Sequence, residues 1–197
     1  MQKTIFATPW LSAAMHRLAS RCLRWLGWRV EGEAPAFDKY VLIVAPHTSN
    51  WDFPVGLLVA FALRIEGYWM GKNTLFPPVL GGVMRWLGGI PVDRSRSGNL
   101  VATMVAAFAS QPKLTLVIPP EGTRSRVTRW KTGFYHIAIG AEVPIVLGFI
   151  DFGRKTAGIK GVFQPTGDIE ADLPRIQAAY AGIAGKNPEQ FVAPSEQ

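Results

Sequence analysis

Residues 40–52 read YVLIVAPHTSNWD, and the reading of this stretch decides the fold. From Tyr40 to Ala45 the run is short, continuous and apolar, without the alternation of a half-exposed strand. That pattern marks a strand covered on both faces. Pro46 ends it, a polar turn follows, and residues 52–64 (DFPVGLLVAFALR) have the composition of a helix. Working outward, residues 114–118 (LTLVI) form the clearest further buried strand, and residues 143–150 another. Residues 68–71 and 90–92 read as shorter strands. Helices are expected over residues 77–87, 99–110, 133–141 and 172–184, with a hairpin-like pair around residues 157–164. Strands alternating with helices predict an α/β fold, a single layered domain with a largely parallel central sheet flanked by helices. This domain is expected to cover residues 33–197, preceded within residues 1–32 by an N-terminal amphipathic helical element.

The rest of the composition agrees. A chain of 197 residues with 48% hydrophobic and 18% charged residues suits one ordinary core. The 20 glycines and 15 prolines are spread along the chain and gather in no linker. Cys22 stands alone, so an internal disulfide or a cysteine zinc site is excluded, and it reads as a small apolar residue on a helix.

A net charge of +7 asks for an anionic partner, either nucleic acid or an anionic membrane surface. No nucleic-acid motif is present, and the tryptophans cluster with apolar neighbours, so nucleic acid is not expected. Trp10, Trp25 and Trp28 lie among arginines in the first 28 residues. Over residues 9–28, Leu11, Met15, Leu18, Cys22, Trp25 and Leu26 recur at helical steps, with Arg17, Arg21 and Arg24 on another side. A cationic face opposite a Trp- and Leu-rich face suits a helix lying in a lipid interface, where indole rings favour the headgroup level. Charges interrupt this segment too often for a signal peptide. No stretch of about 18 uncharged apolar residues occurs, so the chain is expected to lie on a membrane rather than cross it.

Parallel sheets bind ligands beyond the carboxyl ends of their strands. After the strand at 40–45 come His47 and Asp52; after that at 114–118 come Glu121, Gly122, Thr123, Arg124 and Ser125; after the short strand at 90–92 come Asp93 and Arg94. A carboxylate in the first turn of the helix can fold back onto the imidazole, fix its tautomer and stabilise the imidazolium. The opposite ring nitrogen is then a general base, able to take a proton from an alcohol and return one to a leaving thiolate. Ser49 or Asn50 is expected to cap the helix. GxSxG is absent and Cys22 lies far off in sequence, so the base should activate the acceptor alcohol directly. His16, His47 and His136 lack a metal-ligand spacing, and no metal is expected. Residues 121–125 (EGTRS) read as an anion cradle: glycine for close approach, hydroxyls and amides, and an arginine suited to phosphate, with Arg126, Arg129 and Lys131 nearby. Glu121 among these cations is expected to orient Arg124 or a ligand hydroxyl.

In their order these blocks resemble the glycerophospholipid acyltransferases, in particular the bacterial 1-acylglycerol-3-phosphate acyltransferases of the lysophospholipid acyltransferase superfamily. Residues 47–52 (HTSNWD) match the HX4D block, residues 88–94 (GGIPVDR) look like the second, residues 121–125 (EGTRS) match the third, and residues 143–146 (VPIV) are similar to the fourth. Pro119 stands where the family usually has Phe. The resemblance implies a metal-independent O-acyltransferase that uses acyl-CoA or acyl-carrier protein as donor, with no cofactor, and a lysophospholipid as acceptor. The acceptor best matched is 1-acylglycerol-3-phosphate, giving phosphatidic acid. It implies His47 as base, Asp52 as its partner, and Arg94, Glu121, Gly122 and Arg124 on the glycerol phosphate. Arg94 and Thr123 are candidate oxyanion donors. The expected place is the cytoplasmic face of a membrane, held peripherally or monotopically against anionic lipids. Compact relatives of the family acylate other alcohols (lyso-ornithine lipids, glycolipid or carotenoid hydroxyls), and EGTRS and Arg94 favour a phosphate acceptor over these. A non-catalytic lipid-binding module is the contrasting reading, and such a module has no need of the His47–Asp52 pair.

Overall fold

A computed structural model describes residues 4–92 and 100–192. Seven strands form one sheet in the order β1 (Arg29–Glu31), β7 (Thr156–Phe163), β6 (Ile145–Asp151), β2 (Lys39–Ala45), β5 (Leu114–Ile118), β3 (Gly67–Lys72), β4 (Gly89–Val92). From β6 to β4 every neighbouring pair is parallel; β7 returns antiparallel to β6, and β1 lies parallel to β7 at the edge. The predicted α/β class and largely parallel sheet are therefore present.

β2 shows why continuous apolar runs form the centre of the sheet. Val41, Ile43 and Ala45 face one side, where they pack with Met104 and Phe108 of α4 (Leu100–Ser110) and Phe134, Ile137 and Ala138 of α5 (Gly133–Gly140). Ile176 of α6 (Ile169–Ala178) joins the same core. Tyr40, Leu42 and Val44 face the other side, which α2 (Asp52–Leu63) covers with Val55 and Val59. α1 (Pro9–Trp25) packs against α2, burying Ala19 and Leu23. A strand with helices on both faces has no polar side to present, which is the pattern read at residues 40–45.

Several boundaries differ from expectation for physical reasons. Residues 157–164 are not a hairpin of their own; Thr156–Phe163 is one strand, folded back on β6. Gly158 sits at φ +153 where a side chain would meet the Glu31 carbonyl, so it serves the close approach of β1. The expected helix at 77–87 is shortened to α3 (Gly81–Trp86), behind the Pro77–Pro78 turn. The C-terminal helix starts earlier than residue 172, because Asp168 caps it by accepting from the Glu170 and Ala171 N–H groups, and it ends at Ala178 and not at 184.

The N-terminal helix divides differently too. Leu11 and Met15 turn inward with Ala19, while Trp10, Arg17, Leu18, Arg21, Arg24 and Trp25 are exposed. Trp10 and Trp25 thus share the cationic face instead of opposing it. Trp28 is buried, edge-on to Phe152 at 5.0 Å, and packs in the α2 cluster; it is a core residue and not an interfacial one.

Candidate active site

β2 and β5 lie side by side in parallel, with Ile43 opposite Ile118, so the segments leaving their carboxyl ends emerge together. His47 follows β2 through a cis Ala45–Pro46 bond, and Glu121 follows β5 through Pro119 and Pro120. Neighbouring parallel strands thus bring two motifs, far apart in the chain, to one place.

His47 Nδ1 lies 3.0 Å from Asp52 Oδ2. The same carboxylate oxygen accepts the main-chain N–H groups of Thr48 at 2.8 Å and Ser49 at 2.9 Å. Asp52 opens α2 and is buried, so its charge sits where the amides at a helix N-terminus favour an anion. With Nδ1 committed to the carboxylate, Nε2 of the partly exposed ring is the nitrogen left for a substrate proton. Neither Ser49 nor Asn50 occupies the cap position, which belongs to Trp51 and makes no side-chain cap bond. Asp52 has turned the chain back already, and Ser49 Oγ only tightens that turn by accepting from the Trp51 N–H at 3.2 Å.

Glu121 does not face Arg124. Its Oε2 accepts the His47 main-chain N–H at 2.7 Å, and its Oε1 is buried with no partner among the described residues. Burial, strengthened by the Asp52 charge and opposed by the His47 N–H, pushes its carboxyl up to about 8. The Tyr180 hydroxyl, fully buried and likewise unpaired, is raised by desolvation and by Glu121.

Beyond Glu121 the loop turns outward. Gly122 takes φ +67, a conformation that side chains rarely adopt, with the flexible end of Lys131 close by. Thr123 Oγ1 accepts from the Ser125 N–H at 3.3 Å, and Arg124 and Ser125 are exposed. Arg124 and Ser125 therefore present a guanidinium and a hydroxyl to solvent, with Thr123 half-buried beside them. Arg94 lies outside the described residues, as does Asp93; Gly88 and β4 lead toward them. Val143, Ile145 and Val146 of the fourth block are buried at the entry to β6 and make core, not site. Among the described residues no group of His, Cys, Asp and Glu is arranged to hold a metal ion.

Sequence reading missed what lies behind the His47 loop. Asn187 bonds Thr48 from a distance of 139 residues along the chain, and only the turn signal of Asn187-Pro188 marks the spot.

The chain is similar to proteins named 1-acyl-sn-glycerol-3-phosphate acyltransferase. It is 27% identical over 150 residues to that of Haemophilus influenzae, covering 72% of this chain and 61% of the relative. It is 29% identical over 144 residues to that of Salmonella typhimurium, covering 68% and 57%. To human 1-acyl-sn-glycerol-3-phosphate acyltransferase alpha it is 30% identical over 118 residues, covering 57% and 40%. The chain thus spans between 40% and 61% of the length of these relatives. The crystal structure of the 1-acyl-sn-glycerophosphate acyltransferase of Thermotoga maritima superposes with a TM-score of 0.63 over 87% of this chain and 77% of that one. At 19% identity that likeness speaks for the fold alone. The acyltransferase family model matches residues 28–147, a span that contains both the His47–Asp52 pair and the loop from Glu121 to Ser125. With most of the chain inside that match, the protein belongs to the acyltransferase family.

Proposed function

We propose that the protein transfers a fatty acyl group from the thioester of acyl-CoA or acyl-carrier protein to the free hydroxyl of a lysophospholipid. The acceptor best suited is 1-acylglycerol-3-phosphate, and the product phosphatidic acid. The observation that carries this reading is the 3.0 Å contact of His47 with Asp52, joined through Glu121 to a loop rich in phosphate-binding groups. Nε2 of His47 takes the proton of the acceptor hydroxyl as its oxygen attacks the thioester carbonyl carbon. The tetrahedral intermediate collapses, the carbon–sulfur bond breaks, and the leaving thiolate receives the proton from the imidazolium. No metal or cofactor takes part in these steps. Arg124, with Gly122, Thr123 and Ser125, holds the acceptor's phosphate, and Arg94 is assigned the same task. Thr123 and Arg94 are the candidate donors to the oxyanion. Glu121 serves the site from behind, by fixing the main chain of His47.

Lipid access fits the surface. Phe53, beside Asp52, meets Trp69 edge-on at 4.9 Å, and Trp69 stacks on Phe76 at 5.9 Å. Leu75, Val79, Leu80, Val83 and Trp86 around α3 continue this apolar surface and are exposed. Together with the Trp- and Arg-bearing face of α1, they suit a protein seated peripherally on the cytoplasmic face of an anionic membrane, with residues 1–32 as its membrane-facing element. No helix among the described residues is long and apolar enough to cross a membrane.

The test is thiol release from palmitoyl-CoA, with and without lysophosphatidate, for the native chain and His47→Ala. Release that needs the lipid and disappears in the variant is expected. Release without the lipid indicates hydrolysis, and release undiminished by the substitution removes His47 as the base.

A further inference from the structure

The family match ends at residue 147, but the loop carrying the base is held from beyond that point. Residues 184–190 run back across the site. The Phe152 N–H donates to the Ala184 carbonyl at 2.9 Å, which fixes the start of the segment beside the β6–β7 turn. Gly185 packs directly on Thr48, where an added β-carbon would overlap the threonine side chain. Lys186 Nζ lies 4.6 Å from the centre of the Trp51 ring, on the other flank of the same loop. Asn187 then makes two bonds to one residue: its main-chain N–H donates to Thr48 Oγ1 at 3.2 Å, and its Nδ2 donates to the Thr48 carbonyl at 2.8 Å. With the nitrogen of its amide turned toward the two carbonyls it faces, Gln190 donates to the Thr48 carbonyl at 3.0 Å and to that of Arg124.

Thr48 is 1% exposed and follows His47 directly. Its N–H is held by Asp52 and its carbonyl and hydroxyl by Asn187, so every polar group of the residue has a partner. A carbonyl oxygen has two lone pairs, and the two side-chain amides use both. We propose that Asn187 is a positioning residue for the base, clamping Thr48 so that the His47–Asp52 pair keeps its geometry. Gln190 extends the clamp to the main chain of Arg124 and so sets the spacing between base and anion-binding loop. The clamp comes from a segment whose only regular element is the 3-10 turn Pro188–Gln190, so hydrogen bonds and the Gly185 contact hold it in place. Catalytic groups must be kept within a fraction of an ångström of their working geometry, and a shift of about 1 Å costs up to roughly 10²-fold in rate.

The kinetic part of this inference rests on the acyl-transfer reading, so the test includes a measurement that needs no substrate. In Asn187→Ala, kcat for acyl transfer from palmitoyl-CoA to lysophosphatidate is expected to fall by ten- to a hundredfold, with KM for both substrates within about twofold. In the same protein the low-field proton resonance of the His47 Nδ1–H···Asp52 bond is expected to broaden or vanish, while the circular dichroism spectrum is unchanged. An unchanged resonance with unchanged kcat overturns the proposal, and so does a rise in KM alone, which would place Asn187 on a substrate. If Asn187→Ala does not fold, Thr48→Ser and Thr48→Val replace it. Serine keeps the oxygen that accepts from Asn187 and should retain the resonance, whereas valine should lose it. Equal behaviour of the two overturns the proposal. A native chain that shows no acyl transfer removes the functional reading, and the resonance still decides the clamp.

Discussion

The main-chain N–H of His47 donates to Oε2 of Glu121 at 2.7 Å, so the segment leaving one strand of the sheet is tied to the segment leaving its neighbour. A carboxyl group in the EGTRS loop therefore turns toward the backbone of His47. Its burial, at 3% exposure, is what makes the bond strong and the charge costly.

Glu121→Gln tests that balance through pH. The Glu121 carboxyl stands at about 8 in the folded chain against an ordinary value of 4.5. A group raised on folding binds its proton more tightly in the native state, so its contribution is fully present below about 4.5 and is lost as pH rises through about 8. Glutamine keeps an oxygen for the His47 N–H but never ionises. Thermal melts from pH 5 to 9 should show Glu121→Gln gaining on the native chain as pH rises, and kcat should fall by no more than about tenfold. A melting difference that stays flat across this range would mean that Glu121 titrates in the ordinary range.

Asp52→Asn separates charge from geometry. One oxygen of Asp52 receives three N–H groups, from His47 Nδ1, Thr48 and Ser49. An amide oxygen in the same place has two lone pairs and can keep two of these bonds, so the loop should keep most of its shape while the imidazolium loses its counter-charge. A fall in kcat of roughly 10²–10⁴-fold, with little change in KM, is expected from steady-state assays. Near-native turnover would show that His47 works without its carboxylate.

Arg124 is exposed beside the base and offers a planar pair of donors, which matches a phosphate better than a neutral headgroup. In a panel of lysolipids differing only in headgroup, lysophosphatidate should be preferred, and Arg124→Ala should raise its KM by roughly tenfold with a smaller effect on kcat. Arg124→Lys keeps the charge without the fork and should recover only part of the loss. Equal turnover of a phosphate-free acceptor, such as a lyso-ornithine lipid, would remove the phosphate grip from Arg124.

The centre of the fold is legible because its code is local. Residues 40–45 are apolar without interruption and residues 114–118 apart from Thr115, and only a doubly covered sheet satisfies them. The His47–Asp52 pair is legible because a helix N-terminus five residues after the histidine leaves the carboxylate little choice but to face back. Interactions set by tertiary approach are not written locally. Residues 157–164 read as a hairpin-like pair until β6 is seen lying against them, and Trp28 reads as interfacial until Phe152 and Val55 enclose it. Glu121 sits among cations in the sequence but is buried in space, where its Oε2 accepts from the His47 N–H and not from Arg124. The Asn187 bond to Thr48 joins positions 139 residues apart, beyond the reach of any local pattern.

α1 carries the last prediction. Trp10 and Trp25, 73% and 86% exposed, lie on the face that also holds Arg17, Arg21 and Arg24. Leu11, Met15, Ala19 and Leu23 on the inward side already pack within the protein, so the outward tryptophans add nothing to its core. Indole rings at headgroup level gain from the interface whatever its charge, whereas each arginine near an anionic surface contributes about 1 kcal/mol and is screened by salt. In sedimentation with vesicles, Trp10→Ala with Trp25→Ala should weaken binding to anionic and neutral lipid alike. Replacing the three arginines by glutamine should weaken binding to anionic vesicles alone and flatten its salt dependence. Since none of these side chains supports the core, melting temperatures should be unchanged in both variants. Undiminished sedimentation in both would move the membrane contact elsewhere, with the exposed apolar surface around α3 as the next place to substitute.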